Sequence, residues 1–127
     1  MIYLDTCLVI YLVEEHPIYA PQLEYALSEN TRYCVSPLVE MECLVLPFKQ
    51  NRLELIHKFR HFFAIQTQLT MPVQVFHQAA QLRAQYGLKT PDALHLATAQ
   101  YHHCTALWTN DDRLRSAANH LSVNKLN

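Results

Sequence analysis

A single glycine, Gly87, stands in the 127-residue sequence, and that scarcity removes more fold classes than any other feature of the chain. Dinucleotide-binding G-x-G-x-x-G loops and Walker A loops need several glycines so that backbone can approach phosphate closely. Neither can be built here. The length suits one compact domain around one shared core and is too short for two independent cores, so residues 1–127 are read as one domain. Half of the residues are hydrophobic, yet no run approaches the about 18 apolar residues of a membrane-spanning helix. Met1-Ile2-Tyr3-Leu4-Asp5 also lacks the basic start of a signal peptide. The expectation is a cytoplasmic protein that does not enter a membrane. Cys7, Cys34, Cys43 and Cys104 form no C-x-x-C pair and read as reduced, mostly buried thiols.

Along the chain, short apolar runs alternate with helical patterns. Met1 to Leu4 stops at Asp5, and Thr6 to Val13 follows as an apolar helical stretch. A second helix is expected from Pro17 to Asn30. Arg32 to Ser36 is β-prone, and Ser36-Pro37 supplies an N-cap and a first-turn proline for a helix to about Leu46, where Pro47 interrupts the pattern. Leu53, Ile56, Phe59 and Phe63, in a stripe widened by Leu55 and Phe62, mark a further helix from Arg52 to about Ile65, and Pro72 to Tyr86 another that Gly87 closes in a left-handed cap. Thr90-Pro91-Asp92 opens a helix that is apolar nearly all round and therefore buried, with Thr90 as its expected cap. Thr105 to Thr109 reads as a strand, followed by a short helix and a weak strand from Leu121 to Val123. Strands alternating with helices predict an α/β fold with a short parallel sheet flanked by helices on both faces.

In such sheets ligands bind beyond the carboxyl ends of the strands. Asp5 and Asp111 both stand there, and Asp92 lies in a helical first turn where the dipole favours a carboxylate. Each of these acids also suits an ordinary cap or turn. Glu42 is more telling: Leu38, Met41 and Val45 mark an expected buried stripe, and Glu42 falls on it while Glu40 points away. A carboxylate in an apolar setting needs a compensating cation, either a basic side chain or a metal. Converging acids raise one another's pKa, and a divalent ion relieves the conflict. All-oxygen ligation suits Mg²⁺ or Mn²⁺, and two such ions about 3.5–4 Å apart can cleave a phosphodiester by activating water and stabilising the leaving oxygen.

Tyr3-Leu4-Asp5-Thr6, Val35-Ser36-Pro37-Leu38 leading to Glu42, Thr90-Pro91-Asp92-Ala93-Leu94-His95-Leu96-Ala97-Thr98-Ala99, and Trp108-Thr109-Asn110-Asp111 together resemble the four acidic blocks of PIN-domain ribonucleases, in order and over essentially the whole chain. The likeness is nearest to the VapC-type toxins of bacterial toxin–antitoxin pairs. That resemblance implies a metal-dependent endoribonuclease whose catalytic, metal-binding acids are Asp5, Glu42, Asp92 and Asp111, supported by Thr6, Thr109 and Asn110. Asp112 is the alternative to Asp111, and the Thr-Asn-Asp pattern favours Asp111. The resemblance further implies Mg²⁺ or Mn²⁺ as cofactor, RNA as substrate, a cognate antitoxin, and a homodimer. Two alternatives stand beside it: a non-catalytic PIN-like protein-interaction module, and an RNA-processing PIN nuclease that is not a toxin.

The net charge of −1 is unevenly placed: residues 1–43 hold one base and seven acids, and residues 44–127 nine bases and four acids. RNA affinity must therefore come from a local patch. Lys49, Arg52, His57, Lys58, Arg60 and His61 form a basic stretch over a phenylalanine stripe that suits a solvated helix face, an RNA-backbone contact or a protein partner. His57 and His61 are spaced i, i+4, but the glutamate of H-E-x-x-H is replaced by Lys58 and no cysteine stands at zinc-ligand spacing. His95, one turn after Asp92, has two readings, a neighbour of the acids or a packed helix histidine, and the second is favoured. A receiver domain would need an aspartate on a middle strand, yet none lies between Asp5 and Asp92, and a haloacid-dehalogenase-type phosphatase would need one at position 7, which is Cys7.

Overall fold

A computed structural model describes residues 1–29, 32–118 and, as backbone, 122–123. Its elements run β1 (Ile2–Leu4), α1 (Thr6–Val13), α2 (Tyr19–Ser28), β2 (Tyr33–Val35), α3 (Pro37–Lys49), α4 (Leu53–Ala64), β3 (Thr67–Gln68), α5 (Val73–Tyr86), α6 (Thr90–Tyr101), β4 (Ala106–Trp108), α7 (Asp112–Ala118) and β5 (Ser122–Val123). The five strands form a fully parallel sheet in the order β3-β2-β1-β4-β5. Tyr3 pairs with Cys34 on one side and Leu107 on the other. As expected, the fold is an α/β domain.

The strand order determines where a site can form. From β1 the chain moves outward to β2 and β3, then returns past β1 to β4 and β5. Right-handed crossovers therefore place the helices before β3 on one face and those after it on the other. The packing agrees, because α1 touches α2, α3 and α4, whereas α6 touches α5 and α7. The reversal falls between β1 and β4, and the crevice at their carboxyl ends is the topological switch point. Asp5 follows β1, and Thr109 to Asp111 follow β4.

The core explains the local order. Tyr3, Leu4, Leu8, Val9, Val35 and Leu107 are buried from solvent, and every residue from Ala93 to Ala99 on α6 is buried. Gly87 ends α5 with φ +66°, the left-handed conformation its missing Cβ permits.

Several sequence expectations need correction. The helix expected from Pro17 begins at Tyr19, and Asn30 lies outside the described residues, as does Leu121 at the last strand. Helix α3 continues through Pro47 to Lys49, because a proline in the last turn removes one amide bond while Gln50 and Arg52 amides still take the Leu46 and Pro47 carbonyls. Its buried stripe is Val39, Cys43 and Pro47, whereas Met41 and Val45 are exposed. Leu53 is likewise exposed, whereas Leu55, Ile56, Phe59 and Phe63 of the same stripe lie in the core as expected. Lys89, not Thr90, occupies the N-cap of α6. The edge strand β3 is not among the expected elements, since Thr67 and Gln68 are exposed polar residues that join the sheet by backbone pairing with β2.

Candidate active site

Asp5 is positioned from two directions. Its Oδ1 accepts the Thr6 amide at 2.8 Å and so caps α1, while its Oδ2 accepts the Thr109 hydroxyl at 2.7 Å. Thr109 is fully buried at the end of β4, and its Oγ1 in turn accepts the Asp111 amide at 3.0 Å. The neighbouring strand end thus holds the first acid and orients the loop carrying the fourth. Cys7 places its Sγ 3.9 Å from Asp5 Oδ2, and burial together with the Asp5 charge pushes its thiol up to about 12, so it is a neutral donor.

Glu42, on α3, is half-buried. Its Oε1 accepts the Thr6 hydroxyl at 2.6 Å and lies 2.6 Å from His95 Nε2. Burial pushes the Glu42 carboxyl up, but the bonds from His95 and Thr6 outweigh it, and the balance lies below the ordinary carboxylate value. His95 is 1% exposed and also stands 3.7 Å from Asp5 Oδ1. Among the described residues, the basic side chain that faces Asp5 and Glu42 is this histidine rather than a lysine or arginine. The histidine is both packed in the helix and part of the acid cluster. Glu40 is bonded to Gln68 on the sheet edge.

Asp92 lies in the first turn of α6, where the helix dipole favours ionisation. Its carboxyl is nevertheless raised, first by burial and then by repulsion from Asp111 and Asp5, with Glu42 adding to it and His95 opposing. The other three acids thus stand within electrostatic reach of Asp92. Asp111 is exposed, and its Oδ1 accepts the Leu114 amide at 2.8 Å to cap α7. Asp112 instead pairs with Arg115. Of the adjacent pair, Asp111 is the one whose charge acts on Asp92. Asn110 is exposed, beside Asp111 in the loop that follows β4.

Sequence reasoning missed Tyr3 and Ser36. Both are fully buried, and Tyr3 bonds Ser36 Oγ at 2.8 Å and His95 Nδ1 at 2.6 Å. The available signal was a tyrosine in the middle of a buried strand, whose hydroxyl demands a buried partner. The basic stretch is partly engaged within the protein: Lys58 pairs with Glu15 at 3.4 Å, and Arg60 lies 5.6 Å over the Phe48 ring.

Among the described residues no three His, Cys, Asp or Glu side chains are already gathered in metal-ligand geometry. The donor chemistry nonetheless fits a hard divalent ion. The set is carboxylate oxygen, Asp92 is raised by burial and then by its acidic neighbours, and an ion between them would remove their repulsion.

The fold has solved counterparts. A toxin–antitoxin complex from Klebsiella pneumoniae contains a chain with TM-score 0.82 and 22% identity, with 98% of each chain covered. VapBC2 from Rickettsia felis, bound to a DNA fragment from their promoter, gives 0.79 and 20%, again over 98% of each chain. FitAcB from Neisseria gonorrhoeae gives 0.63 and 18% over 98% of each. No curated protein sequence matches the chain. The PIN domain family model matches residues 2–119. With its acids at the switch point of a five-stranded parallel sheet and that match across nearly its whole length, the chain belongs to the PIN domain family.

Proposed function

We propose that this protein is a divalent-metal-dependent endoribonuclease and the toxin of a toxin–antitoxin pair. The observation that carries the reading is the crowding at Asp92, raised first by burial and then by Asp111, Asp5 and Glu42, in a crevice where one histidine faces Asp5 and Glu42. Such a cluster costs stability unless a cation completes it. On this reading Asp5, Glu42, Asp92 and Asp111 hold Mg²⁺ or Mn²⁺. The bound metal would supply an activated water and stabilisation of the phosphodiester oxygens.

The chain's own residues prepare that site. Thr109 fixes Asp5 and the Asp111 loop, and Thr6 with His95 fixes Glu42. The exposed acid Asp111 marks the mouth of the site toward solvent. RNA phosphates, repelled by the acids, are drawn by exposed cations of the Lys49 to His61 stretch.

The protein partners on this reading are an antitoxin and a second copy of the chain. Structural likeness to toxin–antitoxin complexes supports the first. The outer face of α3, where Met41, Val45 and Phe48 stand exposed, supplies apolar surface that a protein partner gains by covering. The deciding experiment is RNA cleavage by the purified chain with Mg²⁺ or Mn²⁺ and with EDTA. Metal-dependent cleavage is expected; cleavage indifferent to EDTA overturns the mechanism.

A further inference from the structure

Behind Glu42 runs one unbroken hydrogen-bonded line. The Ser36 Oγ accepts the Val39 amide at 3.4 Å, Tyr3 Oη lies 2.8 Å from Ser36 Oγ and 2.6 Å from His95 Nδ1, and His95 Nε2 lies 2.6 Å from Glu42 Oε1. Tyr3, Ser36 and His95 are each at most 1% exposed. Water therefore cannot cheaply replace a lost partner.

Counting hydrogens gives the line a direction. Glu42 Oε1 already accepts the Thr6 hydroxyl, and a carboxylate oxygen has no hydrogen to return. Two acceptors do not face one another at 2.6 Å, so His95 Nε2 carries a hydrogen and donates it. At the other end Ser36 Oγ already accepts the Val39 amide, so its own hydrogen goes to Tyr3 Oη and the single Tyr3 hydroxyl hydrogen goes to His95 Nδ1, the ring's acceptor. Tyr3 Oη then accepts from Ser36, whose own oxygen accepts from Val39. Every polar atom in the line is satisfied.

We propose that Tyr3, acting through His95, is a positioning residue for Glu42: the line and Thr6 together pin Oε1 and leave Oε2 as the oxygen offered to a divalent cation. The inference rests on the functional reading above. Glu42 needs such a hold, because its side chain is 25% exposed and would otherwise sample several rotamers. Partners behind a ligand orient it in this way, and their loss costs about 10–100-fold in metal affinity or activity.

The test is Mn²⁺ titration by calorimetry on the full chain, with ¹⁵N NMR of the His95 ring. Tyr3→Phe keeps the shape of the buried strand residue and deletes the donor to Nδ1. It should keep the fold, weaken Mn²⁺ binding about tenfold or more, and shift the His95 ring nitrogens away from their wild-type signature. A double-mutant cycle separates positioning from general packing. In a Glu42→Gln background Tyr3→Phe should cause little further loss, whereas additive losses overturn the proposal. His95→Gln, whose amide can donate to Glu42 without help from Tyr3, should bind Mn²⁺ more tightly than His95→Leu. That comparison decides the matter if Tyr3→Phe does not fold, and equal affinities overturn the proposal. Wild-type affinity in Tyr3→Phe overturns the proposal alone; a wild-type chain that binds no Mn²⁺ contradicts the functional reading, and the proposal falls with it.

Discussion

The hydroxyl of Thr109 donates to Asp5 Oδ2 at 2.7 Å, joining residues 104 positions apart in the chain at the ends of two adjacent strands. The bond exists because Leu4 pairs with Trp108, which brings the next residues of β1 and β4 side by side. Parallel pairing thus places the carboxylate and its orienting hydroxyl together at the switch point.

Thr109→Val preserves shape and removes both the donor to Asp5 and the acceptor for the Asp111 amide. It should cost about 1–3 kcal/mol of stability and about 10–100-fold in metal affinity or activity, read by denaturant unfolding and Mn²⁺ titration. Wild-type values in both would show that Thr109 only fills space.

Glu42 and Glu40 lie two residues apart with different surroundings. Glu42→Gln should lower cleavage at least about tenfold, whereas Glu40→Gln loses only an exposed bond to Gln68 and should stay near wild type. Comparable losses in initial-rate assays would show that the acids of α3 do not separate in this way.

Asp92 gives a pH signature in the metal-free protein. Its folded carboxyl is raised by burial, Asp111 and Asp5, so its stabilising contribution is fully present below the unfolded value of about 3.9 and is lost as pH rises through the folded value. Asp92→Asn should therefore lose less melting temperature than wild type over that rise, and melt higher at pH 7 without metal. Wild type should regain stability as Mn²⁺ increases, by about 2.7 kcal/mol at 100 times Kd, and Asp92→Asn should regain little. Melting curves across pH and Mn²⁺ concentration check both, and identical pH dependence in the two proteins contradicts the repulsion argument.

Replacing Lys49, Arg52, Lys58 and Arg60 together with Gln should weaken RNA binding and flatten its salt dependence, because each phosphate contact steepens that slope. Lys58 and Arg60 already engage Glu15 and Phe48, so a measured slope change smaller than four contacts' worth is expected. An unchanged slope with a lost oligomer would assign the stretch to a protein interface.

Much of the fold is legible in the sequence because parallel strands buried on both faces read as short apolar runs, here ending at Asp5, Ser36 and Thr109. The edge strand Thr67–Gln68 is not legible, since backbone pairing leaves no side-chain pattern in two exposed polar residues. The stripe that points to Glu42 in the sequence is solvent-facing at Met41 and Val45. Apolar residues occupy both sides of α3, so periodicity alone does not choose the inward face. The inward residues Val39 and Cys43 flank the same side from which Glu42 reaches His95. The line through Tyr3, Ser36 and His95 is hidden for a different reason, because it joins positions separated by 33 and 92 residues that only the tertiary fold brings together.

The most direct test of the central claim is RNA cleavage by the purified chain and by Asp5→Asn, each with Mn²⁺ and with EDTA, with circular dichroism confirming that both are folded. The account predicts cleavage only by the wild-type chain with Mn²⁺, and loss of it in EDTA and in the folded Asp5→Asn variant, which removes a metal ligand's charge without changing its shape. Equal cleavage by wild type and Asp5→Asn, persisting in EDTA, would contradict it.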